Sequence, residues 1–91
     1  DNDFFMARWS KLSDRQQDIL TVFASLGSGE FECAVADLVK QSETILEKGF
    51  SAPQINQLLS LLSEQGLVYK TRHGKYSFAI PLFGGFINRR H

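Results

Sequence analysis

Apolar residues recur along this chain first with a helical period and then, past residue 66, with a strand period. From Leu12 the stretch "LSDRQQDILTVFASLGSG" sets Ile19, Leu20, Val22, Phe23 and Leu26 on one wide face, which predicts a helix ended by Gly27. Ser13 is placed as its N-cap, Gln16 completes a capping box, and Asp14 suits the first turn. "AVADLVKQSETILEKG" aligns Val35, Leu38, Val39 and either Ile45 or Leu46, predicting a second helix closed by Gly49, with a break near Ser42. "SAPQINQLLSLLSEQG" predicts a third. Ser51 caps it with Gln54, Phe50 and Ile55 stand at staple positions, Pro53 lies in the first turn, and Gly66 ends it.

The period then changes to two. "LVYKT" and "YSFAI" flank a turn at "RHGK", and Tyr76, Phe78 and Ile80 alternate with Lys75, Ser77 and Ala79, as in antiparallel strands with one apolar face. Pro81 ends the second strand. "EFEC" alternates as well and predicts a very short strand before the second helix. Residues 1–12 read as an apolar arm or short helix on the core. Residues 81–91 read as a short helical or irregular extension, with Leu82, Phe83, Phe86 and Ile87 turned inward. Helix, short strand, two helices and a hairpin make a mainly α (α+β) winged helix-turn-helix: a three-helix core with the hairpin as wing.

On the third helix Ile55, Leu58, Leu59 and Leu62 form the core stripe, leaving Pro53, Gln57, Ser60 and Glu64 outward. In a winged helix this is the element that usually enters DNA. Gln54, Asn56 and Gln57 suit bidentate pairing with adenine, yet the helix has no Lys or Arg, and Glu64 repels phosphate. A solvated polar face is the competing and stronger reading. The hairpin tip is the stronger signal, because Lys70, Arg72, His73 and Lys75 crowd where long basic side chains reach a phosphate backbone or minor groove. A solvated turn is the competing reading.

Composition narrows the classes. The 91 residues, 43% hydrophobic and with eight Phe, suit one small aromatic-rich core. The formal charge is zero, but residues 1–50 carry nine acids against five bases, whereas residues 51–91 carry five bases against Glu64 alone. A net −4 half and a net +4 half let a domain offer one basic end to a polyanion. Cys33, the only cysteine, excludes an internal disulfide, and it forms no zinc set with His73 and His91 at a usual spacing. We expect Cys33 to be a packing residue, Trp9 and the phenylalanines to be core, and the setting to be cytoplasmic. With no phosphate-binding loop, paired carboxylates or Ser/His/Asp set, no catalysis, metal or cofactor is expected of this domain. No apolar run approaches the ~20 residues of a transmembrane helix. The chain starts at Asp1 with no initiator Met, so we expect a piece of a longer protein.

Two stretches carry a family resemblance. "FFMARWSKLSDRQQDIL" contains Leu12, Ser13, Gln16, Ile19 and Leu20 in a Leu-Ser-x-x-Gln-x-x-Ile-Leu pattern after an aromatic lead-in. "GKYSFAIPLFGGFINRR" runs Gly74, Lys75, Tyr76 and Phe78 into Pro81, Leu82, Phe83, Phe86 and the basic pair Arg89 and Arg90. Together they resemble the winged-helix domain that lies C-terminal to P-loop ATPase modules in AAA-type and STAND-type proteins of bacteria and archaea. The resemblance spans nearly the whole chain, mostly at core and turn positions. It implies a parent protein that hydrolyses ATP with Mg through a module outside this chain. It also implies a domain that either holds duplex DNA or packs on the ATPase module and other proteins. The third helix, without Lys or Arg, departs from dedicated transcription regulators.

Overall fold

The computed structural model of the chain describes residues 2–27 and 31–90. They form α1 (Asn2–Ser10), α2 (Asp14–Leu26), α3 (Val35–Ile45), α4 (Ala52–Glu64), β1 (Val68–Lys70), β2 (Tyr76–Phe78) and α5 (Pro81–Arg90). The protein is thus mainly α with one small antiparallel hairpin. No helix among the described residues is long and apolar enough to cross a membrane.

Local chemistry sets the helix ends. At α2 the Ser13 Oγ accepts the Gln16 N–H at 3.2 Å, and the Gln16 side-chain oxygen accepts the Ser13 N–H at 2.9 Å. The Gln17 amide donates to the Trp9 carbonyl at 2.8 Å and fixes α1 on α2. Ser51 and Gln54 repeat the box at α4, with Phe50 and Ile55 both buried beside it. The same helix closes in a Schellman motif: the Leu67 N–H donates to Leu62 O and the Gly66 N–H to Ser63 O, each at 3.0 Å. Gly66 takes the required left-handed conformation at φ 78°.

Helix α3 corrects two expectations. It runs through Ser42 unbroken and stops at Ile45, short of Gly49. Ser42 is fully buried; its hydroxyl donates to the Val39 carbonyl at 2.8 Å and accepts the Phe50 N–H at 2.9 Å. It therefore anchors the following loop to the helix. Leu46 turns extended and packs partly against the core, which ends the helix there.

The strands are shorter than the alternation predicts. β1 and β2 pair in the register Val68↔Phe78, Tyr69↔Ser77 and Lys70↔Tyr76. "EFEC" supplies only a bridge, with Cys33 and Tyr76 exchanging N–H···O bonds of 2.9 Å; Glu30 lies outside the described residues. This bridges the second edge of β2 at Tyr76; Ser77, expected on the solvent face, is 3% exposed. The chain turns straight into α5 at Pro81.

The terminal segments belong to the core. Phe5 and Trp9, one helical turn apart on α1, are buried against α5, where Phe83, Phe86 and Ile87 are buried. The Phe83 ring centroid lies 5.5 Å from Phe5, 5.9 Å from Phe86, 6.3 Å from Phe78 and 6.4 Å from Trp9. Asn88 ties α5 to α2 by donating to the Ala24 carbonyl at 3.1 Å. Two expectations fail here, because Leu82 points outward at 72% exposure and Phe4 is 46% exposed. The buried positions centre elsewhere on each helix: Phe5 and Trp9 lie about 100° and 140° around α1 from Phe4, and Phe83 and Ile87 lie about 100° and 140° around α5 from Leu82.

Candidate functional site

The tip between β1 and β2 is a five-residue connection, Thr71 to Lys75, built on local hydrogen bonds. The Thr71 N–H donates to the Lys75 carbonyl at 2.7 Å, and the Gly74 N–H donates to the Thr71 carbonyl at 3.1 Å. Gly74 sits at φ 75°, the left-handed position that ends such a turn. The Thr71 Oγ1 accepts the N–H groups of His73 and Lys75, both at 3.3 Å. Lys70, Arg72, His73 and Lys75 are all exposed around this frame. Among the described residues no carboxylate forms an ion pair with Lys70, Arg72 or Lys75.

His73 has a partner that the sequence does not announce. Its Nδ1 lies 3.4 Å from Glu32 Oε1, with both side chains substantially open to solvent. The Glu32 carboxyl is held below its ordinary value, chiefly by a hydrogen bond with the Thr71 hydroxyl; desolvation opposes this, and His73 and Lys75 assist it. An acid from the negative half of the chain therefore sits beside the positive tip. The separation of charge along the sequence is incomplete in space.

The outward residues of α4 divide into two groups. Asn56 and Gln57 are exposed. Gln54 is exposed too, but its side-chain oxygen accepts both the Ser51 N–H at 2.9 Å and the Ser51 hydroxyl at 3.2 Å. That oxygen is occupied by the cap, so bidentate pairing with a base would require opening the cap.

A cation does lie at the start of α4, contributed by α2. The Arg15 guanidinium stacks over the Phe50 ring at 4.3 Å from its centroid, directly before the Ser51 cap. No periodicity links Arg15 with Phe50, and only the packing of α2 against α4 brings them together. The exposed basic groups around α4 and the hairpin are therefore Arg15 beside α4 and Lys70, Arg72, His73 and Lys75 on the hairpin. Arg89 is exposed on α5, and His91 lies outside the described residues.

Cys33 behaves as packing. It is 2% exposed, and burial, with the charge of Asp37, pushes its thiol up to about 12. A thiol so hard to ionise is a poor nucleophile near neutrality. Among the described residues no group of three or more His, Cys, Asp or Glu is placed to hold a metal ion.

Among curated proteins and solved structures, none matches this chain. A family model described as a domain of unknown function (DUF8462) matches residues 2–87.

Proposed function

The chain belongs to the DUF8462 family, and we propose that it is a winged helix-turn-helix module that contacts duplex DNA with weak sequence specificity. The element order supports the fold reading: α2, the bridge at Cys33, α3, α4 and then the hairpin as wing. The observation that carries the functional reading is the exposed cluster of Lys70, Arg72 and Lys75 on a hydrogen-bonded turn, without an ion pair among the described residues. These three side chains, with His73, form the main phosphate contacts, and Arg15 adds one beside the start of α4. Asn56 and Gln57 are the groove contacts, and Gln54 serves first as the cap. Phosphate contacts orient without reading sequence, so the preference among duplexes is small. The setting is cytoplasmic, and the domain is the C-terminal module of a P-loop ATPase whose ATP and Mg belong to the ATPase module.

A second reading has its own support. The outward face of α4 has no cation and exposes Leu61 at 41%, which suits packing on the ATPase module or another protein without DNA. Fluorescence anisotropy with a labelled duplex at ~50 mM salt, a regime that favours phosphate contacts, separates the two. Binding that falls at least about tenfold when Lys70, Arg72 and Lys75 become Ala supports the DNA reading. Absence of binding under these conditions leaves the protein-docking reading.

A further inference from the structure

A second feature lies away from the hairpin tip and is independent of the DNA reading. An open groove of about 520 Å³ runs between α1 and the end of α4, lined by Phe4, Ala7, Arg8, Lys11, Gln65 and Leu67. Its walls combine apolar surface with two cations and, among the described residues, include no acid. Phe4 is 46% exposed, and the Arg8 guanidinium stacks on its ring at 4.5 Å from the centroid. Neither Arg8 nor Lys11 forms an ion pair among the described residues.

The apolar surface continues past the groove. Leu61, 41% exposed, stands one helical turn before Gln65 on the same side of α4. Tyr69, 49% exposed, follows Leu67 on the same side of the hairpin. Phe4, Leu61 and Tyr69 thus account for three of the six large exposed hydrophobic residues among those described. Single exposed apolar residues are ordinary, whereas a contiguous set around a groove marks a contact surface.

From this juxtaposition we infer that the groove docks an amphipathic helix of a partner protein, one whose apolar stripe is flanked by Asp or Glu. The stripe packs on Phe4 and Ala7 above the buried Leu67, while the flanking carboxylates meet Arg8 and Lys11. Helix-in-groove binding uses apolar anchors at helical spacing, and complementary charge at the rim fixes the orientation. A nucleic-acid backbone fits less well, because it has no apolar stripe to cover Phe4 and Ala7.

The test uses a designed helical peptide of about four turns with Leu at core spacing and Glu on both flanks. Its counterpart carries Lys in place of Glu. With the isotopically labelled chain, we expect the Glu peptide to shift the amide signals of Phe4, Ala7, Arg8, Lys11 and Leu67. We expect it to bind at least about tenfold more tightly than the Lys peptide. The charge reversal Arg8→Glu with Lys11→Glu inverts that preference, with circular dichroism confirming that the variant remains folded. Equal binding of both peptides, shifts confined elsewhere, or no binding up to about 1 mM overturns the assignment. So does a peptide-free dimer with α1 at its interface, since a second copy would then fill the groove.

Discussion

Glu32, in the loop before α3, meets His73 at the hairpin tip with Oε1 3.4 Å from Nδ1. This contact joins the acidic half of the chain to its most basic turn and places a negative charge where a phosphate would approach. Glu32→Gln removes that charge and leaves the turn intact. We expect the variant to bind a duplex about two- to fivefold more tightly than the unaltered protein at low salt, as loss of one exposed like charge allows. Unchanged or weaker binding would show that Glu32 does not oppose the phosphate.

The same carboxylate predicts a pH dependence. Its folded pKa is lowered from 4.5, first by the Thr71 hydroxyl and then, against desolvation, by His73. A depressed carboxylate contributes stability that is complete above its unfolded value and is lost as the pH falls through its folded value. Thermal melts from pH 7 down to pH 3 should therefore show a steeper loss of Tm for the unaltered chain than for Glu32→Gln. Parallel curves would remove Glu32 from the fold's acid response.

Gly74 has open space around its missing Cβ, so any penalty for a side chain there comes from the backbone at φ 75°. Gly74→Ala should destabilise the protein by about 1–2 kcal/mol in urea unfolding. A D-alanine at the same position, introduced by synthesis, should cost far less. Equal losses from the two would refute the left-handed turn.

Ser42→Ala leaves the buried Phe50 N–H without its acceptor. The expected loss is about 1–3 kcal/mol, the cost of an unsatisfied buried donor. Hydrogen exchange at Phe50 should rise along with the fall in the unfolding midpoint. A neutral result would mean that the loop after α3 is not anchored by this hydroxyl.

Phe83 is fully buried among the rings of Phe5, Trp9, Phe78 and Phe86. Truncation to Ala should cost about 3–5 kcal/mol, a large share of the ~5–15 kcal/mol that stabilises a typical domain. We expect urea midpoints to fall accordingly. Truncation of Leu82 beside it, 72% exposed, should change them little.

These contrasts explain how much the sequence alone could reveal. The boxes at Ser13–Gln16 and Ser51–Gln54, the Gly66 stop and the Gly74 turn are local, with causes that lie within a few residues. They were legible, as was the Ile55, Leu59 and Leu62 core face of α4. The choice between Phe4 and Phe5 was not, because it depends on where α5 lies. The burial of Ser77 was not legible either, because the alternation within β2 marks it as a solvent-facing position. Arg15 over Phe50 and Glu32 against His73 arise from tertiary packing, and they alter the candidate site more than any motif does. The hairpin's basic residues were visible from their crowding, whereas the acid beside them was not.

The salt dependence of duplex binding tests the central claim most directly. The four phosphate contacts made by Lys or Arg (Arg15, Lys70, Arg72 and Lys75) predict a slope of log Kobs against log salt of about −3.6. Replacing the three hairpin cations with Ala should reduce it to about −0.9, and Arg15→Ala alone should remove about one unit. No duplex binding at low salt, or a slope unaltered by the triple substitution, would contradict the account.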